Sequence, residues 1–177
     1  MIVKTMPERS VDLGRLYEEH KEEVFGFLIH FLGDRALAED VLQESFLKAF
    51  RSFDRFERGR DFRPWLHQIV RNCALDAMRR RRKERGTPRA SERVTPDSGA
   101  HGIVVRGEDV ARARAALDAL PDETRLILLQ RHGLGMKVLE LAEVWGLSER
   151  TMRYRLEDAA AELAAALAQA GERESGK

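Results

Sequence analysis

Residues 62–83, FRPWLHQIVRNCALDAMRRRRK, decide the fold. Trp65, Leu66, Ile69, Val70, Cys73, Ala74 and Ala77 recur at three- and four-residue steps, which makes one apolar stripe on a single long helix. His67, Gln68, Arg71, Asn72, Asp76, Arg79 and Arg80 fall on the other side, a row of hydrogen-bonding groups that runs into the unbroken basic stretch at 79–83. Pro64 fits the first helical turn, where its missing N–H has no partner to lose, and the arginines of the last turn suit the helix dipole. That polar flank has the make-up of a nucleic-acid face and also of a plainly solvated one, so the rest of the chain has to discriminate.

Before this helix, apolar positions Leu16, Tyr17, Val24, Phe27, Leu28 and Phe31 keep helical spacing, with Glu18, Glu19, Lys21, Glu22 and Glu23 between them. An amphipathic helix from about Leu13 is expected, capped by Ser10 or Asp12 and ended at Gly33-Asp34. A second helix is expected over 36–53, with Leu42, Phe46, Ala49, Phe50 and Phe53 inward. On its outer side Asp40, Gln43, Glu44, Leu47 and Arg51 line up, an apolar anchor among carboxylate and amide groups. This is the composition of a protein-binding strip, or of acids that only solvate a helix. Residues 54–61, DRFERGRD, read as a loop in which Phe56 is either a plug over the core or a stacking platform for a base.

The formal net charge of +1 conceals a segregation. Counting Asp, Glu, Lys and Arg, residues 12–44 carry nine acids against three bases, and residues 45–83 carry four acids against twelve bases. Two surfaces of opposite sign imply two kinds of partner. The single cysteine, Cys73, sits on the apolar stripe, so a buried reduced thiol is expected, and no disulfide framework is possible. No signal peptide is evident, no apolar run approaches the roughly 18 residues of a membrane span, and a reducing cytoplasm fits. The five histidines are dispersed, without metal-ligand spacing, a phosphate-binding glycine loop or a nucleophile motif; no enzyme, metal site or cofactor is expected.

Residues 84–108 hold four glycines and two prolines without periodicity and read as a flexible linker, in which Ile103, Val104 and Val105 either dock locally or meet a partner in extended form. Patterning returns at Asp109: a helix with Val110, Ala113, Leu117 and Leu120 that Pro121 ends, then a second over 122–131. Residues 138–145 follow as a short helix, Gly146-Leu147 as a tight turn, and Ser148 as the cap of a helix reaching about Gln169, with Met152, Leu156, Ala159, Leu163 and Leu167 buried. That is a helix-turn-helix pattern. Arg150, Thr151, Arg153, Tyr154 and Arg155 lie in the first turns of its second helix, where arginine can grip guanine or phosphate.

In order, AEDVLQESFLKAFRSFDRF, FRPWLHQIVRNCALDAMRRRRK, ALDALPDETRLILL and ELAEVWGLSERTMRYRLEDA resemble bacterial extracytoplasmic-function sigma factors of the sigma-70 family. The resemblance implies an all-α fold of two small helical domains. Region 2, a helical bundle, would occupy 11–84 and region 4, a helix-turn-helix, 109–170, joined by the linker at 85–108. It implies a bacterial cytoplasmic initiation factor that joins RNA polymerase core through the β′ clamp helices and β flap and takes it to promoter DNA. An anti-sigma factor is an expected partner; membrane insertion is not. Carried over by residue, Asp40, Gln43, Glu44 and Leu47 would bind core polymerase. Phe56, His67, Gln68, Arg71, Asn72, Arg79 and Arg80 would bind the minus-ten element, and Arg150, Thr151, Arg153 and Arg155 the minus-thirty-five element. Arg150 stands where the family commonly has a small residue. The competing expectation is a helix-turn-helix regulator that never joins polymerase.

Overall fold

A computed structural model describes residues 8–57, 59–85 and 107–175. Among them there is no β-strand, and the expected all-α fold holds. The helices are α1 (Glu8–Leu32), α2 (Arg35–Ser52), α3 (Phe62–Arg85), α4 (Gly107–Ala119), α5 (Asp122–Leu128), α6 (Val138–Trp145) and α7 (Glu149–Ser175). They fall into two compact units, α1–α3 in the first and α4–α7 in the second. Most of the linker, including Ile103, Val104 and Val105, lies outside the described residues.

In the first unit three stripes meet. Val24, Phe27, Leu28, Phe31 and Leu32 of α1 sit at positions 0, 3, 4, 7 and 8 of a helical repeat and are all buried. From α3 come Leu66, Val70, Cys73, Ala74 and Ala77, as the spacing predicts, together with Leu75 and Met78, which widen the stripe. α2 contributes Ala38, Val41, Phe46 and Ala49, and its buried Ser45 donates its hydroxyl to the Val41 carbonyl at 2.6 Å, so no polar atom there goes unmet. Between α1 and α2 the chain turns at Gly33, whose φ of 65° is left-handed, and Asp34 accepts the Leu37 N–H at 3.1 Å as the N-cap of α2.

Three local expectations need correction. Ser10 and Asp12 lie inside α1, which already runs from Glu8, so neither is its cap. Phe50 points outward at 47% exposure, because it lies one residue past the inward Ala49 and shares a flank with Leu47. The expected helix over 122–131 stops at Leu128 and widens into one π turn, Leu129–Gly133.

That widening has a visible cause. The Leu134 N–H reaches back to the Leu129 carbonyl and the Met136 N–H to that of Gln130, while buried Gln130 accepts the Trp145 indole N–H at 2.8 Å. Arg125, also buried, is held by Asp118 at 3.2 Å and Asp122 at 3.5 Å. Around these lie Met136, Leu141, Ala142, Val144 and Met152 on one side and Leu120, Leu128 and Ala159 on the other.

α6 ends on Gly146 at φ 64°, with the Leu147 N–H returning to Ala142 O at 2.9 Å. Ser148 Oγ then accepts the Thr151 N–H at 3.1 Å and opens α7. Gly146→Ala meets no neighbouring atom, so its cost is backbone strain alone. Equilibrium denaturation should show about 1 kcal/mol lost, and less for Gly146→Asn.

Candidate nucleic-acid and protein interfaces

On the outer flank of α2, Asp40, Gln43 and Leu47 are exposed, Leu47 at 56%, and Phe50 joins them as a second apolar group. Glu44 is half-buried. Lys48 Nζ lies 2.8 Å and Arg80 Nη2 3.0 Å from its carboxylate, and these two hydrogen bonds, Lys48 first, hold it below its usual range against the opposing effect of burial. A hollow of about 390 Å³ between α2 and α3 has Asp40, Glu44, Arg80 and Arg81 among its walls. The acidic strip therefore adjoins the basic run.

That run is already engaged within the chain. Arg79 pairs with Asp76 at 2.8 Å, Arg80 with Glu44, and Arg81 donates to the carbonyl of Leu32 at 3.2 Å, closing the C-terminus of α1. Arg79 and Arg80 have side chains more than half exposed, where such pairs are worth about 0–1 kcal/mol and exchange readily.

Toward the start of α3, Gln68 and Asn72 are exposed and Arg71 half-exposed. Arg71 Nε and Nη2 both donate to Asn72 Oδ1, at 3.1 and 2.9 Å, which turns the Asn72 amide N–H groups outward as donors. Phe56 is half-buried in a cluster with Phe53, Phe62 and Trp65, at centroid distances of 5.8, 5.6 and 5.1 Å. It closes over the core as the plug reading expects, and part of its ring stays exposed.

His67 is a correction. The sequence puts it on the reading face; the structure buries it completely, edge-on to Phe27. It lies three residues before Val70 and seven before Ala74, on the same stripe that carries the core. Its Nε2–H donates to Glu23 Oε1 at 3.0 Å, and Arg63 Nε donates to the same oxygen at 2.8 Å. Burial pushes the imidazole below its ordinary value, so this is a neutral histidine on a carboxylate, with a bare Nδ1 left without a partner. Burial alone would raise Glu23, yet the hydrogen bonds from His67 and Arg63 outweigh it and bring it down to about 2. The sequence places Glu23 among the charged residues between the apolar positions of α1 and assigns it no role. The signal was there: Glu23, Phe27 and Phe31 form one i, i+4, i+8 row.

On α7, Arg150, Thr151, Arg153, Tyr154 and Arg155 are all exposed at the helix-turn-helix. Arg150 donates to the Tyr154 hydroxyl at 3.3 Å and lies 5.8 Å from its ring centroid. Arg153 pairs with Glu149 at 3.2 Å and Arg155 with Glu123 at 3.6 Å, whereas the Thr151 hydroxyl is shared with Ser148 at 2.8 Å. Among the described residues no group of histidine, cysteine or carboxylate side chains could hold a metal ion, and no helix is long and apolar enough to cross a membrane.

Residues 16–84 match the family model for Sigma-70 region 2, and residues 111–163 that for Sigma-70, region 4. The chain is 35% identical over 144 residues to RNA polymerase sigma factor CarQ of Myxococcus xanthus, spanning 79% of this chain and 80% of CarQ. It is 32% identical to ECF RNA polymerase sigma factor SigE of Mycolicibacterium smegmatis, over 80% of this chain and 56% of SigE. Among solved structures, CnrH in complex with the cytosolic domain of CnrY is similar, with a TM-score of 0.65, 27% identity, and coverage of 89% of this chain and 88% of that one. The sigma factor RpoE bound to the anti-sigma factor NepR from Bartonella quintana shares the fold, with a TM-score of 0.67 at 24% identity over 88% of this chain and 96% of that one.

The Glu23 carboxylate makes acid stability testable. Its folded value near 2 lies below the ordinary 4.5, so its contribution is complete above pH 4.5 and is lost as pH falls toward 2. His67, also lowered, acts in the same direction: its contribution is present above its ordinary 6.5 and is lost on acidification. Glu23→Gln should remove about 1 kcal/mol of the stability difference between pH 7 and pH 3, after discounting the group's partial exposure. Urea denaturation of both proteins at the two pH values measures it.

Proposed function

The chain belongs to the sigma-70 family, in its extracytoplasmic-function branch, as a transcription initiation factor that binds RNA polymerase and confers promoter specificity, and on that premise we propose how its surfaces divide the work. Residues 11–84 act as region 2 and 109–170 as region 4, with 85–108 as the linker. Asp40, Gln43, Glu44 and Leu47 grip the β′ clamp helices, and Phe50 extends that apolar anchor. Gln68, Arg71 and Asn72 read the melted minus-ten strand while the Phe56 cluster receives an unstacked base, and Arg79 and Arg80 exchange their internal partners for upstream phosphates. Arg150, Thr151, Arg153 and Arg155 enter the major groove at the minus-thirty-five element, and the same unit meets the β flap.

The observation that carries this reading is the pair of outward rows on one three-helix core. An acidic row with exposed Leu47 and Phe50 lies on α2, and a row of amides and arginines on α3. Protein interfaces use apolar anchors ringed by polar groups, and separated strands are held by stacking, base-edge hydrogen bonds and cations. Unstacking a base costs a few kcal/mol, which a preformed aromatic and amide site offsets locally. Phosphoryl transfer belongs to the polymerase; this chain directs it, in the bacterial cytoplasm. CnrH and RpoE were each solved with a partner seated on them, which supports an anti-sigma factor for this chain too. A helix-turn-helix regulator that ignores polymerase gives the region 2 match at 16–84 no role.

Glu44→Arg places a cation among Lys48 and Arg80 on the strip and should weaken binding to core polymerase by more than about tenfold with helix content unchanged by circular dichroism. Unaltered core affinity would remove the strip from the account. Asn72→Ala should slow promoter opening by about tenfold, followed by a fluorescent base in the minus-ten element, while upstream docking in a footprint stays intact.

A further inference from the structure

Two features of the first unit are not absorbed by that division of work: a carboxylate of α1 that is strongly perturbed, and a fully buried histidine in the helix that reads DNA. We propose that Glu23 and His67 are positioning residues of the promoter-reading surface. They fix the first turns of α3 so that Gln68, Arg71, Asn72 and the Phe56 ring meet unpaired bases in one arrangement. The inference rests on the reading of α3 given above.

The apolar stripe of α3 is driven into the core by a non-directional force, which sets which flank is buried but fixes rotation and axial position only loosely. Arg63 and His67 supply direction. One turn apart on α3, they converge on a single oxygen, Glu23 Oε1, from 2.8 and 3.0 Å. Phe62 and Trp65, which hold Phe56, stand beside and between them, Gln68 follows His67 directly, and Arg71 lies one turn on. A helix with side chains reaches about 5–6 Å from its axis, so a rotation of about 20° moves a side-chain tip roughly 2 Å. Recognition of a base edge tolerates about 0.5 Å.

The local chemistry is costly for a purely structural contact. His20, Glu23 and Arg63 are the ionisable groups that act on the imidazole, which stays neutral and leaves Nδ1 unsatisfied in the interior. An apolar side chain would fill the same space without that penalty. Arg125 Nε and Gln130 Nε2 carry a similar penalty in the second unit; what the His67 site adds is its place, directly before Gln68 and one turn after Arg63 on the helix whose outer flank reads DNA.

The test uses holoenzyme reconstituted from core polymerase and the full chain, with a single-stranded minus-ten oligonucleotide selected from a randomised pool. The readout is discrimination, the ratio of affinity for the selected oligonucleotide to that for its single-base variants. A merely destabilised protein binds all of them more weakly by one factor and leaves the ratio alone. H67L, which keeps the packing against Phe27 but removes the donor, should lower discrimination about fivefold or more, since misplacement of about 1 Å is known to cost such factors. H67Q, whose amide can donate to Glu23, should restore most of it, and E23Q should fall between. Loss of affinity at an unchanged ratio in H67L overturns the proposal. Should H67L fail to fold, an unchanged ratio in E23Q does the same. If Q68A with N72A leaves discrimination intact, it is the assignment of the reading surface that fails, and the positioning role fails with it.

Discussion

Everything in the first unit depends on α3 having one flank that cannot face water. Leu66, Val70, Cys73 and Ala74 are wholly excluded from solvent, and each such side chain contributes on the order of 1–3 kcal/mol according to size. Once that flank is packed on α1 and α2, the other is fixed by geometry, because a helix repeats every 3.6 residues. Gln68 and Asn72 need no interaction of their own to be presented; they are outward because their neighbours are inward. The same constraint on α2 turns Ala49 in and Leu47 out. The two candidate surfaces are thus by-products of one core.

A core of that kind leaves its polar groups at risk where stripes widen, and the chain meets the risk with local partners. Ser45 returns its hydroxyl to the helix backbone, Gln130 takes the Trp145 indole N–H, and Arg125 takes two carboxylates. Each of these last two still leaves one nitrogen unmatched, Gln130 Nε2 and Arg125 Nε, as His67 does at Nδ1; at the His67 site, in addition, one Glu23 oxygen collects two donors from α3. Buried polar networks specify one arrangement more sharply than apolar packing does, at some cost in stability. What sets Glu23 and His67 apart is that two donors one turn apart on α3 meet on a single oxygen of α1.

Much of this was legible in the sequence, and the misses share a cause. The stripe of α3, the break at Gly33-Asp34 and the Gly146 turn with its Ser148 cap are all periodic or stereochemical signals, which survive without tertiary context. His67 departs from its expected face because a histidine reads as polar by type while its position, three before Val70, reads as core, and in the fold the period decides. Glu23 failed in the same way, a charge on an otherwise apolar i, i+4, i+8 row. Phe50 is the converse, an aromatic taken inward by type that its phase turns outward. The π turn after Leu128 has no local signature, since it arises from Gln130 and Met136 meeting across the turn. The pairs Arg80 with Glu44 and Arg155 with Glu123 join residues far apart in the chain and could not be read from either stretch alone.

Such pairs offset like-charge repulsion along the basic run of α3 while no partner is bound. Consecutive arginines at 79–82 repel one another, and a carboxylate or carbonyl beside Arg79, Arg80 and Arg81 relieves that repulsion. Because the pairs of Arg79 and Arg80 are exposed, giving them up for phosphate loses about 0–1 kcal/mol apiece. The gain comes from elsewhere: each phosphate neutralised releases a counterion that duplex DNA had held, and this favours the exchange most at low salt. Glu44 lies on the border between the acidic strip and the basic run. Its pairing with Lys48 and Arg80 lets a single side chain be stabilised in the free protein and still be within reach of a cationic partner.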